Sequence, residues 1–261
     1  WGEWFIHGDY KQGAFESGVN YSRLFKSPKV KVFVGFDIKS TKLMSSEFST
    51  DPKRLQTASV FGVKKWIKRF RFEANVAHQF IADQPTNQDS TNTSYSKLSP
   101  YLAIACLPFK NQPINVRAFY KHAFRMPSFN DLYYNYIGNT QLKPENAHIT
   151  NLGISYANWF QTSDNENNGL KIEATVDGYY NEVSNKIVAI PTKDLFNWSM
   201  QNIGKTEAFG VDISMMVQRV IRKWKFGAST QQSINKTVDI TDVNLPSYGH
   251  QIPYTPVYNA S

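Results

Sequence analysis

The side chains with the strongest chemistry in this 261-residue sequence are few and stand far apart. They include five histidines, which are His7, His78, His122, His148 and His250. These form no HExxH pair, and no GxSxG elbow, phosphate-binding glycine loop or cysteine–histidine pair accompanies them. The single Cys106 excludes an intrachain disulfide and any site that needs several cysteines. We therefore expect no catalytic residue, no metal site, no cofactor and no enzymatic activity.

A second group of candidates is basic. Its members are Arg69, Arg71, Arg117, Lys121, Arg125 and Lys171. Most of them alternate with apolar residues, so they could share one surface and attract an anionic ligand or an acidic protein face. The formal net charge of +8 is accompanied by no recognised nucleic-acid motif, and we expect no nucleic-acid partner.

A third group combines an amide, a carboxylate and tyrosines in the stretch between Pro127 and Pro144. It comprises Asn130, Asp131, Tyr133, Tyr134 and Tyr136. Tyrosine offers an apolar ring and a hydroxyl at a low entropic cost, which suits recognition of a large ligand. The alternative is a structural loop that folds on itself and tucks its aromatic rings between strands. We favour the structural interpretation and retain these residues as candidates for ligand contact.

The elements that must position these residues follow a period of two. One apolar face would carry Val30, Val32, Val34, Phe36 and Ile38. The same alternation recurs at 70–80, 116–124, 172–180 and 211–217. These segments exceed the usual five or six residues of a soluble strand, and helical spacing is nowhere sustained. The sequence therefore predicts an all-β chain of about 11 long antiparallel strands.

Two architectures accommodate long strands with one apolar face. A soluble sandwich turns that face inward, whereas a transmembrane barrel turns it to lipid. The links favour the barrel because short ones (27–28, 64–68, 108–113, 219–222, and the moderate 161–168) alternate with long ones (41–54, 82–94, 126–143, 183–205 and 238–255). A spanning helix is excluded, since the longest apolar run, 102–107, falls far short of roughly 20 residues.

Aromatic residues beside the short and moderate links support the same architecture. They are Phe25, Trp66, Phe109, Trp159, Phe160 and Trp224. Aromatic girdles mark both interfaces of outer-membrane barrels, so we expect these rings to form an interfacial belt. The low share of charged residues, 19%, and the high share of aromatic residues, 15%, agree with a lipid-facing surface.

Three motifs resemble the barrel of TonB-dependent outer-membrane receptors. The first is FRMPSFNDLYY at 124–134, followed by GN at 138–139 and LKPE at 142–145, which resembles the family signature FRxPxFNDLYY…GNxxLKPE. The second runs from YYN at 179–181 through NIGK at 202–205 to GVD at 210–212, with Asp212 where glutamate is more usual. The third is IPYTP at 252–256, which is similar to LPYTP. Their order and spacing also agree with the family.

The resemblance implies nutrient import across the outer membrane of a Gram-negative cell. Family members are monomeric barrels of about 22 strands, filled by an N-terminal plug domain whose TonB box is pulled by an inner-membrane TonB complex. The expected partners are therefore the protein's own plug domain, the TonB complex, the lipid bilayer and a small nutrient ligand. In that setting the third group would lie at the ligand vestibule, and the basic group would face the lumen and the plug.

Residues 1–261 are then interpreted as part of one barrel domain, with about half of its strands and without the plug and the final C-terminal strands. A barrel is viable in lipid because its closure leaves no unpaired strand edge. We therefore expect an open sheet for the isolated fragment, which would not be a stable monomer in water or in a bilayer.

Several alternatives stay open for the function. Within the family, the residues at 185–192 and 198–202 resemble receptors of the vitamin B12 (cobalamin) type most. A siderophore or haem receptor of the same fold is the first alternative. An outer-membrane enzyme such as a phospholipase would require a Ser/His pair on adjacent lipid-facing strands. A soluble β-sandwich binding module would bury the 30–38 face against a second sheet.

Overall fold

The chain forms one antiparallel sheet of 11 strands in a computed structural model, and each strand lies beside its neighbours in sequence. The structure describes residues 9–46, 50–85, 93–134, 137–161, 168–191, 198–221, 223–252 and 256–261. The elements are β1 (Tyr10–Phe25), β2 (Val30–Ser45), β3 (Lys53–Ile67), β4 (Phe70–Gln84), β5 (Thr93–Cys106), β6 (Ile114–Arg125), α1 (Phe129–Tyr133), β7 (Glu145–Gln161), β8 (Gly169–Pro191), β9 (Trp198–Ile221), β10 (Trp224–Asp239) and β11 (Tyr258–Ala260). Among these strands no ladder joins β1 to β11. The predicted all-β, open antiparallel sheet is therefore confirmed.

Several strands are longer than the sequence pattern indicated. The bounds 41–54 and 183–205 expected for two loops are too wide, because β2 continues to Ser45, β3 starts at Lys53, and β8 and β9 reach Pro191 and Trp198. β8 and β9 have 23 and 24 residues. The apolar band of such a sheet is shorter than these strands. Beyond the band both faces of a strand have polar surroundings, so the alternation of apolar residues ends before the strand ends.

The links between strands define two rims of the sheet. The short-link rim carries 26–29, 68–69, 107–113, 162–168 and 222–223, and the long-link rim carries 46–52, 85–92, 126–144, 192–197 and 240–257. The two longest links both lie on the second rim, as expected. The other three links there have six to eight residues, about as many as the seven of 107–113, because the strands include residues that the pattern assigned to loops.

The register assigns every side chain to one of two faces, since directly opposite residues of an antiparallel ladder point to the same side. One continuous row consists of Arg71, Ala105, Arg117, Gly153, Asp177 and Asp212, and we call its side the polar face. The neighbouring row consists of Phe72, Ile104, Ala118, Leu152, Gly178 and Val211, and we call its side the apolar face. The two faces alternate residue by residue along each strand.

The apolar face is uncovered. Val34 and Phe36 are 42% and 43% exposed, and Leu152 is 61% exposed. The soluble-sandwich alternative is therefore wrong, because no second sheet packs on these residues in the described part of the chain. Within the same ranges, no helix has the length and apolar character needed to cross a bilayer.

The expected aromatic belt is partly realised at the short-link rim. Phe25, Phe160 and Trp224 belong to the apolar face and are exposed. Trp66 and Trp159 instead lie on the polar face, opposite Arg71 and Lys171. Their place on the polar face follows from register, since the strand alternation continues to its last residue beside the turn.

Candidate functional site

The longest link folds back onto the polar face at the long-link rim, and we call its described residues, 126–134 and 137–144, the strut. Its helix α1 is capped at the N-terminus by Ser128, whose Oγ accepts from the Asp131 backbone N–H at 3.1 Å, while the Ser128 N–H donates to Asp131 Oδ2 at 2.8 Å. This capping box satisfies two of the backbone N–H groups at the start of the helix. The serine-x-x-aspartate spacing was a signal for this short helix, which the sequence interpretation did not use.

One end of the strut rests on a buried ion pair of β3 and β4. Arg54 Nε and Nη2 donate to the two carboxylate oxygens of Asp83, both at 2.6 Å, and Arg54 Nη1 donates to the Pro127 carbonyl at 2.6 Å. The guanidinium also lies 5.0 Å from the centre of the Phe129 ring. The two side chains are only 7% and 9% exposed. A bidentate, buried pair of this kind fixes geometry as well as charge.

An apolar cluster continues from this ion pair across the face of the sheet. It comprises Leu43 of β2, Phe129 and Leu132 of α1, Leu142 of the strut and Ile187 of β8. Because β2 and β8 are not neighbours in the sheet, the strut bridges two distant parts of the polar face.

Tyr133 packs against the same cluster from α1. Burial raises the pKa of the Tyr133 hydroxyl; the Asp83 carboxylate raises it further, and the Arg54 guanidinium opposes this shift. Tyr133 thus belongs to the packed part of the strut.

The other end of the strut is attached to the first residue of β7, Glu145, and to β8. Arg125 Nε and Nη2 donate to the two carboxylate oxygens of Glu145 at 2.7 and 2.8 Å, and Arg125 Nη1 lies 3.4 Å from Asp131 Oδ2. Glu145 Oε1 also accepts from the Ile187 backbone N–H at 2.7 Å. Glu145 therefore joins three elements through one carboxylate.

Two asparagines complete the attachment to β9. Asn202 accepts from the Lys143 N–H at 2.7 Å and donates to the Lys143 carbonyl at 2.9 Å. Asn139 Nδ2 donates to the Met200 carbonyl at 2.9 Å, and the Met200 N–H donates to the Ile137 carbonyl at 2.8 Å. The strut is thus fixed along its described length by backbone-directed hydrogen bonds.

The structure divides the candidates for ligand contact into two kinds. Asp131 is engaged in the helix cap and lies beside Arg125, and Tyr133 packs against the apolar cluster. Asn130 is exposed, and Tyr134 is 43% exposed with its ring 5.8 Å from that of Tyr10. Tyr136 lies outside the described residues. Asp131 and Tyr133 therefore fit the structural interpretation, and Asn130 and Tyr134 stay candidates for ligand contact.

The register brings most of the basic candidates to one side. Arg71, Arg117, Lys121, Arg125 and Lys171 belong to the polar face. Arg69 does not lie in a strand, because it occupies the link 68–69 and donates to the Pro108 carbonyl at 2.8 Å.

Acidic neighbours neutralise much of this basic group. Arg117 Nη2 lies 2.6 Å from Asp177 Oδ2, and Lys171 Nζ lies 2.7 Å from Glu173 Oε1. Arg71 and Lys121 have no ion pair within the described ranges and are exposed. The polar face is therefore a mixed surface, not the uniformly basic one that the sequence suggested.

Three amide or carboxylate oxygens on the polar face are buried without a hydrogen-bond partner in the described structure. They are Asn151 Oδ1 of β7 and Asp177 Oδ1 and Asn181 Oδ1 of β8. Buried acceptors left unpaired are costly and mark places where a further donor is missing. A surface that covers this part of the polar face would need N–H or O–H groups here.

The space around Gly153 is required by the Arg117–Asp177 pair. A Cβ at Gly153 would collide with Asp177 Oδ1 and lie 3.0 Å from Arg117 Nε. We expect Gly153→Ala to displace this pair and to lower the free energy of unfolding by about 1–2 kcal/mol, measured by denaturant unfolding of the protein. Gly178→Ala is the matched control on the adjacent strand, since its Cβ would meet only the Leu152 carbonyl, at 3.9 Å. Equal losses in both variants would contradict this role of Gly153.

Comparison with known proteins connects this geometry with a family. The family model described as "TonB dependent receptor-like, beta-barrel" matches residues 3–261. The vitamin B12 transporter BtuB of Vibrio vulnificus (strain YJ016) is 30% identical over 109 residues, which cover 39% of this chain and 16% of that protein.

Solved structures show the same fold at lower identity. The copper transporter OprC has a TM-score of 0.72 at 14% identity, with 97% of this chain and 40% of that chain covered. The FrpB iron transporter of Neisseria meningitidis (F3-3 variant) has a TM-score of 0.64 at 14% identity, with coverages of 88% and 36%. The siderophore receptor PirA of Pseudomonas aeruginosa has a TM-score of 0.60 at 17% identity, with coverages of 88% and 41%.

The chain spans less than half the length of each of these relatives. Its own residues nevertheless match the family model almost throughout. The predicted membership is confirmed: the chain belongs to the β-barrel family of TonB-dependent receptors, which are proteins of the outer membrane.

Proposed function

We propose that the chain is the barrel part of a receptor that takes up a scarce nutrient across the outer membrane, with the strut at the ligand-binding mouth. The observation that carries this proposal is the strut itself. It holds the exposed Asn130 and Tyr134 at the long-link rim, on the polar face. Long links of outer-membrane barrels lie on the extracellular side, so a ligand from the medium would meet these side chains first.

Cobalamin is the first ligand to test. The support is the 30% identity to a vitamin B12 transporter, over a segment that covers 39% of this chain. An iron siderophore or haem is the alternative, and structural relatives with 14–17% identity speak only for the fold. Equilibrium binding of cyanocobalamin to the full-length receptor decides between them. No binding at micromolar ligand would remove cobalamin and leave uptake of another nutrient to be tested with ferric siderophores and haem.

The contact role of Tyr134 has its own test. We expect Tyr134→Ala to weaken binding of the transported nutrient about tenfold, because an exposed aromatic ring at a binding mouth often contributes more than 1 kcal/mol. Tyr248→Ala is the matched control, since Tyr248 lies in the other long link of the same rim and is also 43% exposed. A similar loss of affinity in both variants, measured by equilibrium binding, would remove Tyr134 from the ligand contacts.

The rest of the polar face would meet the receptor's own plug domain. The three unpaired acceptors at Asn151, Asp177 and Asn181 call for donors, so the opposing plug surface would present arginine, lysine or amide N–H groups there. Carboxylates of the plug would form ion pairs with Arg71 and Lys121. Coupling to an inner-membrane TonB complex would follow from the family and would run through the plug.

A hydrolase of the outer membrane is the candidate from another class, and one contact bears on it. His78 Nε2 lies 2.8 Å from Ser96 Oγ on neighbouring strands of the apolar face. Within the described residues no carboxylate contacts His78 Nδ1, so the orienting member of a catalytic triad is missing there. We expect His78→Ala to leave phospholipid ester hydrolysis by the purified receptor at its background rate. A rate that falls in this variant would establish an enzyme.

A further inference from the structure

The apolar face carries a groove lined by residues of five strands, β3 to β7. Its floor is the row Phe72, Ile104, Ala118 and Leu152, and the next row towards the long-link rim contains Leu102 and Tyr120. The groove has a volume of about 720 Å³, within the roughly 300–1,000 Å³ typical of small-molecule sites. The small side chain of Ala118 between larger neighbours creates the depression.

A pair of histidines stands at the end of this groove nearest the long-link rim. His122 and His148 are directly opposite each other on β6 and β7, one row beyond Tyr120, and their ring centres are 5.0 Å apart. Both belong to the apolar face, because Ala118, Tyr120 and His122 follow one another at intervals of two residues. The groove and the histidine pair therefore form one continuous surface.

Both imidazoles are held through the same ring nitrogen. His122 Nδ1 lies 3.2 Å from the Leu98 carbonyl, which can only accept, so this nitrogen carries the hydrogen. His148 Nδ1 lies 2.8 Å from the Tyr120 hydroxyl. In the described part of the chain neither Nε2 has a partner. Two oriented Nε2 atoms are thus left free on an exposed face, and in the protonated rings both would be donors.

The surroundings decide which anion these donors can meet. The segment from Ile114 to His122 has the length of the roughly 9–11 residues that a tilted strand needs to cross the hydrocarbon core. The histidine pair therefore lies at the outer interface of the membrane, where lipid headgroups begin. At this depth, with an apolar groove directly below, the available oxyanion is the phosphate of a lipid.

Neighbouring acidic groups leave this role open to the histidines. Glu182 lies opposite His148 on β8, and Lys205 Nζ lies 3.2 Å from its carboxylate. Glu207 on β9 accepts from the Tyr180 hydroxyl at 2.7 Å. Each carboxylate of the row therefore already has a donor of its own.

We propose that this surface is a binding site for a phosphate-bearing lipid of the outer leaflet, with one acyl chain in the groove over Ala118 and the phosphate on Nε2 of His122 and His148. The site is separate from the nutrient mouth because it lies on the opposite face of the sheet. It rests on membership of the outer-membrane family and not on the identity of the nutrient.

The test is a lipid competition on the full-length receptor in detergent. Equimolar dioleoyl phosphatidic acid and dioleoyl phosphatidylcholine are added at pH 6.0 and pH 8.0, and native mass spectrometry counts the bound lipids. We expect selective retention of phosphatidic acid at pH 6.0 and its loss at pH 8.0, because histidine side chains lose their protons across this range. The variant His122→Gln/His148→Gln should retain about tenfold less, the loss expected for one charge-assisted hydrogen bond.

Two further variants separate the parts of the site. Ala118→Leu fills the groove and should also reduce retention, while both histidines remain. His78→Gln is the control, since His78 lies on the same face but its Nε2 is occupied by Ser96. Unchanged retention in the double histidine variant, equal binding at both pH values, saturation by inorganic phosphate alone, or a requirement for a divalent cation would each overturn the proposal.

Discussion

Replacing Arg54 by methionine is expected to destabilise the folded receptor by about 3–5 kcal/mol, because the Asp83 carboxylate would remain buried without its partner. The variant also removes the hydrogen bond to the Pro127 carbonyl and the contact with the Phe129 ring. The strut would therefore lose its attachment to β3 and β4. Denaturant unfolding of the receptor in detergent micelles measures the loss.

Two controls distinguish a buried unpaired charge from a general loss of charge. Lys39→Met breaks the exposed pair with Glu16, whose side chains are 44% and 66% exposed, and should change stability by only about 0–1 kcal/mol. The double variant Arg54→Met/Asp83→Leu should regain most of the stability, because neither side chain then carries a buried charge. If the double variant were as unstable as Arg54→Met, the loss would have to come from packing.

Shortening Leu132 to alanine is expected to loosen the strut by about 2–5 kcal/mol, the range measured for buried leucines that leave a cavity. Leu132 is 8% exposed and belongs to the same apolar cluster as Leu43 and Ile187. Hydrogen exchange followed by mass spectrometry should show faster exchange of the backbone amides in 129–134. Exchange in the ladder between β8 and β9 should stay slow.

The other long link provides the control for Leu132→Ala. Leu245 lies in the link 240–257 on the same rim and is 46% exposed. Leu245→Ala should change stability by no more than about 0.5 kcal/mol, as is usual for surface substitutions. Faster exchange across the whole sheet in Leu132→Ala would show that the cluster supports the fold at large and not the strut in particular.

The strands that cross the apolar zone were predictable because their two faces differ in polarity. Val34 and Phe36 alternate with Gly35 and Asp37, and the ladder places them on opposite faces as expected. Alternation in the sequence likewise indicated a shared face for Arg71, Arg117 and Lys171, and the ladders place all three on the polar face. Alternation within one strand is sufficient for this assignment. A shift of the strand pairing by one residue would move the apolar side chains to the polar face, so the pairing must follow the alternation.

The ion pair that holds the strut could not be predicted in the same way. Arg54 and Asp83 lie where polar side chains occupy both faces, so the sequence pattern placed them in loops. Their pairing depends on the ladder between β3 and β4. The ion pair of Arg117 with Asp177 was missed for a related reason. Its prediction requires the order of β6, β7 and β8, which places Gly153 between the two side chains.

The strut also has a consequence for the order of assembly. Each strand of the sheet pairs with its neighbours in sequence, so the ladders can form by successive hairpins with short loop closures. The strut differs, because Arg54 and Pro127 are 73 residues apart and its apolar cluster includes Leu43 and Ile187 of two non-adjacent strands. The strut can dock only when β2, β3, β4 and β8 are all paired in the sheet. We therefore expect its docking to follow the formation of the sheet from β2 to β8 during folding.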